Sequence, residues 1–172
     1  MAKKIETQFK SFKATVKSVD ADNFIVNAVV STGDVDRDNE IVLPSAFGKR
    51  LDQYQAHPIL LSSHNHYELK AQIGKAVDVS VDKEGLNASF KYFVGEGNDE
   101  ADWAFKMAQK GIAAYSIGFM AHKWEDKTPN EDSPARRIFT EVELVEISQV
   151  LIPSNRGALE AAHRSAKGIE KE

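Results

Sequence analysis

Alternating apolar and polar positions divide most of the chain into short segments of extended backbone. Runs with a period of two, rich in β-branched and aromatic residues and bounded by turn residues, are typical of β-strands. Such runs cover residues 9–19, 24–30, 59–63, 73–81, 86–94, 112–124 and 138–152. The pattern therefore predicts about seven strands, with hairpins across residues 20–23 and 82–85.

Helical spacing is clearest between Asn98 and Lys110. Apolar residues such as Ala104 and Phe105 recur there at helical intervals, Asn98 can cap the first turn, and Gly111 follows the last one. Residues 45–54, with Ser45 as a cap, and residues 155–167 predict further helices, and the charged segment 125–137, which holds two prolines, predicts a mobile loop. Many short strands with two or three helices predict an α+β fold, with an antiparallel, barrel-like β core and peripheral helices.

Composition narrows the class of protein. With 172 residues, 42% of them hydrophobic and 28% charged, the chain fits one globular domain over residues 1–172, with a core at about 8–162 and a charged tail at 163–172. A net charge of −4 and a pI near 5.8 disfavour nucleic acid as a partner. The absence of cysteine excludes a thiol nucleophile and thiolate metal sites. No run reaches the ~20 apolar residues that span a bilayer, so we expect a cytoplasmic protein without a membrane partner.

Ser116 lies in the alternating segment 113–120. A period of two directs Tyr115 and Ile117 toward a core, while Ser116 and Gly118 face the other side. Small neighbours leave the hydroxyl accessible, as a nucleophile requires. The alternative is that Ser116 is a polar residue on a solvated strand face.

His64 follows the apolar run 59–63 and begins a polar turn. A half-sheltered imidazole in such a place can act as a general base near neutral pH, although many histidines at strand ends are structural. His57 and His66 are close in sequence, which leaves a zinc site as a further alternative. No acidic residue follows at the spacing of a known zinc motif, so we expect no metal.

Glu146 lies in the last alternating segment. Strict alternation places it on one face with Leu144 and Ser148, and places Glu141 and Glu143 on the opposite face. A carboxylate among apolar neighbours is unfavourable without a partner, and a histidine that needs orientation is one such partner. The alternative is an edge position where the carboxylate reaches solvent.

Several short motifs follow one another in a definite order along the chain. The segments are Ser31-Thr32, Asp36-Arg37-Asp38, Pro44-Ser45-Ala46-Phe47, Leu60-Leu61-Ser62-Ser63-His64, Ile73-Gly74, Gly85-Leu86, Ser116-Ile117-Gly118-Phe119, Glu146-Ile147-Ser148-Gln149-Val150 and Pro153-Ser154. Over residues 12–162 the chain thus resembles the prohead (capsid maturation) serine proteases of tailed bacteriophages. It departs from that family's common pattern at Ser45, where glycine is usual, and at Ser62, where tryptophan is usual.

The resemblance implies a fold similar to the herpesvirus assembly protease, a β-barrel wrapped by helices, and a serine mechanism without a cofactor. It implies Ser116 as nucleophile and His64 as base, with Glu146 as the acidic third member. The turn at Ser154, Asn155 and Arg156 leads into a predicted helix, whose free N–H groups could form an oxyanion hole.

The same resemblance implies an endopeptidase that cleaves scaffold and capsid-precursor polypeptides, and itself, inside the assembling prohead in the host cytoplasm. Two alternatives remain open at this point. One is a non-enzymatic scaffolding or binding module of the phage, and the other is a metal-dependent hydrolase that uses the clustered histidines.

Overall fold

The computed structural model describes residues 7–11 and 15–152, which form one mixed sheet with two α-helices. The strands are β1 (Thr7–Ser11), β2 (Thr15–Asp20), β3 (Ile25–Ser31), β4 (Glu40–Val42), β5 (Ile59–Ser62), β6 (Gln72–Val81), β7 (Leu86–Tyr92), β8 (Ala114–Asp126) and β9 (Arg137–Val150). The helices are α1 (Leu51–Ala56) and α2 (Asp99–Gln109), and short 3₁₀ turns span Pro44–Phe47 and Leu69–Ala71. Neither α-helix of this part of the chain is long and apolar enough to cross a membrane.

The strands pair in the order β1-β8-β9-β5-β6-β7-β3-β2, with β4 joined to β9, and the sheet curls into a half-barrel. Most neighbours are antiparallel, but β4 and β5 both run parallel to β9. The prediction of an antiparallel sheet is therefore wrong at these two strands. A parallel pair needs a long crossover, and the chain from β5 to β9 supplies one through β6, β7, α2 and β8. That crossover sets β5 and β9 side by side, although they are far apart in sequence.

The core between the sheet and α2 is held by both packing and buried hydrogen bonds. The rings of Phe90 and Tyr115 stack with centroids 5.0 Å apart. Tyr92 donates to Gln149 Oε1 over 2.6 Å, so the 2.8 Å contact between the two tyrosine oxygens leaves Tyr115 as the donor. Gln149 in turn donates to the carbonyl of Ala104 in α2 over 3.0 Å. This chain of bonds links β7, β8, β9 and α2, and it satisfies polar groups that burial would otherwise leave without partners.

Several elements match the sequence-based predictions. The hairpins β2/β3 and β6/β7 form as predicted. Asn98 caps α2 by accepting a hydrogen bond from the Glu100 N–H over 3.2 Å, and Ala101, Ala104, Phe105 and Ala108 are buried along one face of that helix. Local signals were sufficient here because caps, turns and amphipathic spacing act over a few residues.

Other elements differ from the predictions. The run 9–19 forms two strands, of which β1 pairs with β8, and the predicted helix 45–54 is divided into a 3₁₀ turn and α1. The short strand β4 was not predicted, and it forms where β9 offers it a parallel partner.

The predicted loop 125–137 is shorter than expected, because both of its ends belong to strands. The Arg136 N–H donates to the carbonyl of Asn39 over 2.7 Å, and Ala135 is buried. The mobility of residues 128–134 stays a prediction. The predicted C-terminal helix lies outside the described residues.

Candidate active site

Two serines face each other across the longest strand pair of the sheet. β8 and β9 are antiparallel, with Ser116 opposite Ser148 and Gly118 opposite Glu146. Directly paired residues project from the same face of a sheet. These four residues therefore form one patch, in which both serines and the glutamate are fully buried.

Gly118 is the residue over which the Glu146 side chain lies. A Cβ atom at position 118 would come within 2.6 Å of Glu146 Oε1 and 3.0 Å of its Cγ. Real Cβ atoms essentially never come closer than 3.0 Å to another heavy atom in this way. The absence of a side chain at Gly118 is thus what allows the Glu146 carboxylate to lie across β8.

β5 leads into the turn that places His64 beside this patch. Its parallel pairing with β9 sets Leu61 opposite Ser148. The chain then turns, and the Asn65 N–H closes the turn on the carbonyl of Ser62 over 3.0 Å.

The turn is strained. Ser63 and His64 have φ angles of +51° and +57°, a left-handed conformation that is unfavourable for side chains of this kind. Each such residue costs on the order of 1–3 kcal/mol and persists only where the surroundings impose it. Here β9 imposes it: the Ser63 N–H donates to the Gln149 carbonyl over 2.9 Å, and the His64 N–H donates to Ser148 Oγ over 3.1 Å.

The imidazole of His64 meets the buried carboxylate directly. His64 Nδ1 lies 2.6 Å from Glu146 Oε1, and Ser148 Oγ donates to Oε2 of the same carboxylate over 2.6 Å. No lysine or arginine of the described ranges forms an ion pair with Glu146. A carboxylate only accepts, so Nδ1 carries the hydrogen, and a neutral His64 then has its lone pair on Nε2, where it can accept a proton.

Tyr54 of α1 lies on the same side of β9. Burial raises the pKa of the Tyr54 hydroxyl, and the negative charge of Glu146 raises it further. The phenol is therefore neutral and donates to the Ile59 carbonyl over 2.7 Å. Tyr54 thus adds no charge beside the Glu146 carboxylate.

Ser116 differs from expectation in its exposure. The sequence predicted an accessible hydroxyl or, alternatively, a solvated one, but the structure encloses it completely. β8 is flanked by β1 on one edge and by β9 on the other, with Ser11 paired to Ser116. Within the described residues its Oγ has no hydrogen-bond partner, which is unusual for a buried hydroxyl. The Ser116 hydroxyl is therefore closed to solvent in this conformation.

The predicted faces of β9 are also corrected. Gly118 pairs with Glu146 but Phe119 pairs with Leu144, so Val145 is an extra residue in a β-bulge. A bulge reverses the alternation beyond it. Leu144 consequently shares a face with core residue Phe119 rather than with Glu146, and the prediction that groups them is wrong.

The same bulge moves Glu143 to the face of Glu146, against the prediction. Glu143 pairs with Met120, two residues along β8 from Gly118. Its Oε2 lies 3.2 Å from Nε2 of His122, a second histidine–carboxylate pair that sequence reasoning missed. No local signal could have found it, because it depends on the bulge.

Glu141 lies beyond that second pair, among cations. Its oxygens are within 3.2 to 3.4 Å of Lys123 Nζ, Arg50 Nε and Lys49 Nζ. Hydrogen bonds from Lys123 first, and from Arg50 and Lys49 next, lower the pKa of Glu141 to about 2 against an opposing effect of burial. Arg50 reaches Glu143 as well, at 3.9 Å, so both glutamates face the start of α1.

The clustered histidines do not form a metal site within the described residues. His57, His64 and His66 form no group of three potential metal ligands within the described ranges. Ser154, Asn155 and Arg156, the candidate oxyanion residues, lie outside the described residues and stay a prediction.

Comparison with known proteins identifies the family of the chain. Caudovirus prohead serine proteases match residues 12–172, nearly the whole sequence, and the protein belongs to that family. Its sequence is 32% identical over 136 residues to the prohead protease of Enterobacteria phage HK97, which covers 78% of this chain and 57% of that protein. It is 30% identical over 162 residues to the capsid polyprotein of Pseudomonas phage PAJU2, which covers 91% of this chain and 22% of that protein.

The fold is similar to that of the bacteriophage T4 capsid assembly protease, gp21. The TM-score is 0.68 at 10% sequence identity, and the match covers 88% of this chain and all of the other. The family and the mixed α+β fold predicted from sequence are thus confirmed. The likeness to the herpesvirus assembly protease stays a prediction.

Proposed function

We propose that the protein is a serine endopeptidase of phage capsid maturation, with Ser116 as nucleophile, His64 as general base and Glu146 as the carboxylate that orients the base. The observation that carries the proposal is the 2.6 Å contact between His64 Nδ1 and a completely buried Glu146, beside a serine that has no hydrogen-bond partner within residues 7–11 and 15–152. In a triad the carboxylate accepts the imidazole N–H that faces away from the nucleophile, and the contact between Glu146 and His64 Nδ1 has this form.

The proposed reaction follows from that order of contacts. Ser116 Oγ attacks the peptide carbonyl while His64 Nε2 takes the hydroxyl proton, and the Nδ1–H bond to Glu146 stabilises the imidazolium. The imidazolium then gives the proton to the leaving amine, and the acyl group stays on Ser116. Water, activated by the neutral His64, hydrolyses this ester and regenerates the serine. Backbone N–H groups of Ser154, Asn155 or Arg156 are our candidates for holding the oxyanion.

The proposed substrates are scaffold and capsid-precursor polypeptides, and the protein itself, inside the assembling prohead in the host cytoplasm. Membership in the prohead protease family supports this assignment, as does the similarity to a segment of a capsid polyprotein. No metal or other cofactor enters the proposed mechanism, because every proton transfer in it is assigned to a side chain.

The test compares the wild type with Ser116→Ala on a capsid precursor of the same phage, with fragments identified by mass spectrometry. Ser31→Ala is the matched control, since Ser31 is a second buried serine whose hydroxyl has no partner within the described residues. We expect fragments from the wild type and the control and none from Ser116→Ala, with all three equally stable to heat.

Other outcomes would favour the alternatives. An intact precursor bound by the wild type would indicate a scaffolding module. Cleavage that persists in Ser116→Ala but stops with a chelator would indicate a metal-dependent hydrolase.

A further inference from the structure

The second serine of the patch makes contacts that the proposed reaction does not use. Ser148 is completely buried on β9 and lies directly opposite Ser116. Its hydroxyl donates to Glu146 Oε2 over 2.6 Å and accepts from the backbone N–H of His64 over 3.1 Å. One oxygen atom thus joins the side chain of the carboxylate to the backbone of the histidine.

Both of these contacts restrict the position of the imidazole. The bond to Oε2 fixes the rotation of the Glu146 carboxylate, which leaves Oε1 directed at His64 Nδ1. The bond to the His64 N–H holds the left-handed turn, which would otherwise relax toward a less strained conformation. Without the hydroxyl, a buried carboxylate oxygen and a backbone N–H would both lose a partner.

We propose that Ser148 is a positioning residue for the His64–Glu146 pair, an inference that rests on the proposed serine protease function. It acts through the two groups that it touches and takes no part in proton transfer. Its hydroxyl hydrogen is directed at a carboxylate rather than at an imidazole nitrogen, so it is not placed to give its proton to His64. The Ser148 hydroxyl has two hydrogen-bond partners, whereas the Ser116 hydroxyl has none within the described residues. The two serines therefore have different roles, although they are paired across the same two strands.

The role predicts a particular kinetic signature. A displacement of about 1 Å in a catalytic group can slow a reaction by about 10²-fold. Since Ser148 is completely buried, we expect Ser148→Ala to lower kcat by about 10–10²-fold with KM changed by less than about threefold. Ser148→Thr, which keeps the hydroxyl, should recover a large part of that loss.

The experiment measures kcat and KM for the full chain and, in parallel, the imidazole N–H protons by NMR. A short hydrogen bond to a carboxylate shifts the Nδ1 proton of His64 far downfield. We expect that resonance in the wild type, in Ser116→Ala and in the control Ser31→Ala. It should be lost or markedly shifted in Ser148→Ala and present in Ser148→Thr.

Two results would overturn the proposal. One is a Ser148→Ala variant whose kcat and downfield resonance both match the wild type. The other is cleavage that persists in Ser116→Ala but is absent from both Ser148 variants, which would make Ser148 the nucleophile. If the wild type itself cleaves nothing, the proposed function fails, whereas the resonance still reports whether Ser148 positions His64. If Ser148→Ala does not fold, the same comparison is made with Ser148→Cys, a weak donor of nearly the same size.

Discussion

Two histidine–carboxylate pairs lie on the same face of β8 and β9, and they differ in their contact distance, in the burial of the carboxylate and in its second partner. The His64–Glu146 contact is 2.6 Å and its carboxylate is fully buried, whereas the His122–Glu143 contact is 3.2 Å and its carboxylate is 22% exposed. The two histidines are similarly exposed, at 23% and 21%. Glu146 has Ser148 as its second partner, whereas Glu143 has Arg50. The two regions are called the inner pair and the outer pair below.

The difference shows what environment adds to the same two side chains. In the outer pair the Glu143 carboxylate lies near Arg50 and is partly exposed to solvent, so it is stabilised whether or not His122 is protonated. Its contact with His122 is therefore a surface interaction of small energetic consequence. In the inner pair no cationic side chain of the described ranges contacts the carboxylate, and stabilisation depends on the imidazole and the serine hydroxyl. Proton transfer to His64 is therefore favoured by a charge that little else neutralises.

The largest expected effect comes from removing the charge of each carboxylate in turn. We expect Glu146→Gln to lower kcat by roughly 10²–10⁴-fold with little change in KM, because the amide no longer orients or stabilises the imidazolium. Glu143→Gln, the matched change in the outer pair, should leave kcat within about threefold. Steady-state cleavage of a capsid-precursor peptide checks both. Equal losses in the two variants would mean that the inner pair has no special role.

A smaller effect is expected from the residues that lie opposite the two carboxylates. Gly118→Ala places a Cβ 2.6 Å from Glu146 Oε1, so the carboxylate must shift. We expect a stability loss of about 1–3 kcal/mol and a fall in kcat of about 10²-fold.

Met120→Ala is the corresponding change opposite Glu143. Because Met120 is half-buried and no part of the inner pair, kcat should stay within about threefold, with at most about 1–2 kcal/mol lost from stability. Thermal unfolding together with kinetics measures both variants. A Gly118→Ala enzyme of wild-type kcat would show that the position of Glu146 does not limit the reaction.

The smallest effect concerns the cationic cluster beside the outer pair. The folded-state pKa of Glu141 is about 2, below its ordinary value of 4.5. Its contribution to stability is therefore present above about pH 4.5 and is lost as the pH falls from there toward 2. We expect the midpoint of chemical unfolding to decrease less steeply over this range in Glu141→Gln than in the wild type, with activity at neutral pH unchanged.

The exposed pair Lys127–Glu125 offers a control for this measurement. Glu125→Gln should keep the steep dependence of the wild type, and added salt should weaken the dependence in both. A Glu141→Gln profile parallel to that of the wild type would contradict the pKa assigned to Glu141.

Much of the local structure could be predicted from the sequence, and so could the three residues to which the proposed mechanism assigns roles. The capped helix α2, the hairpins and the strand that carries Ser116 depend on signals a few residues long, such as the Asn98 cap and the alternation around Ile117. His64 was identifiable because it ends an apolar strand, and Glu146 because a carboxylate in an apolar segment needs a partner. Family motifs joined these residues into one hypothesis, but no spacing in the sequence gave their distances.

Contacts between distant segments were decided by the tertiary structure alone. His64 and Glu146 are 82 residues apart and meet because β5 runs parallel to β9, which a local pattern does not encode. The bulge at Val145 is one extra residue without a local signature, yet it reverses the face of Glu143 and creates the outer pair. In the sequence, Ser148 is simply one polar residue of an alternating strand. Only the tertiary structure places its hydroxyl between the Glu146 carboxylate and the backbone of His64. Periodicity predicts the face of its strand on which a residue lies, provided that no bulge interrupts the alternation. The partners of that residue depend on the register between strands, and the packing of the whole sheet sets this register.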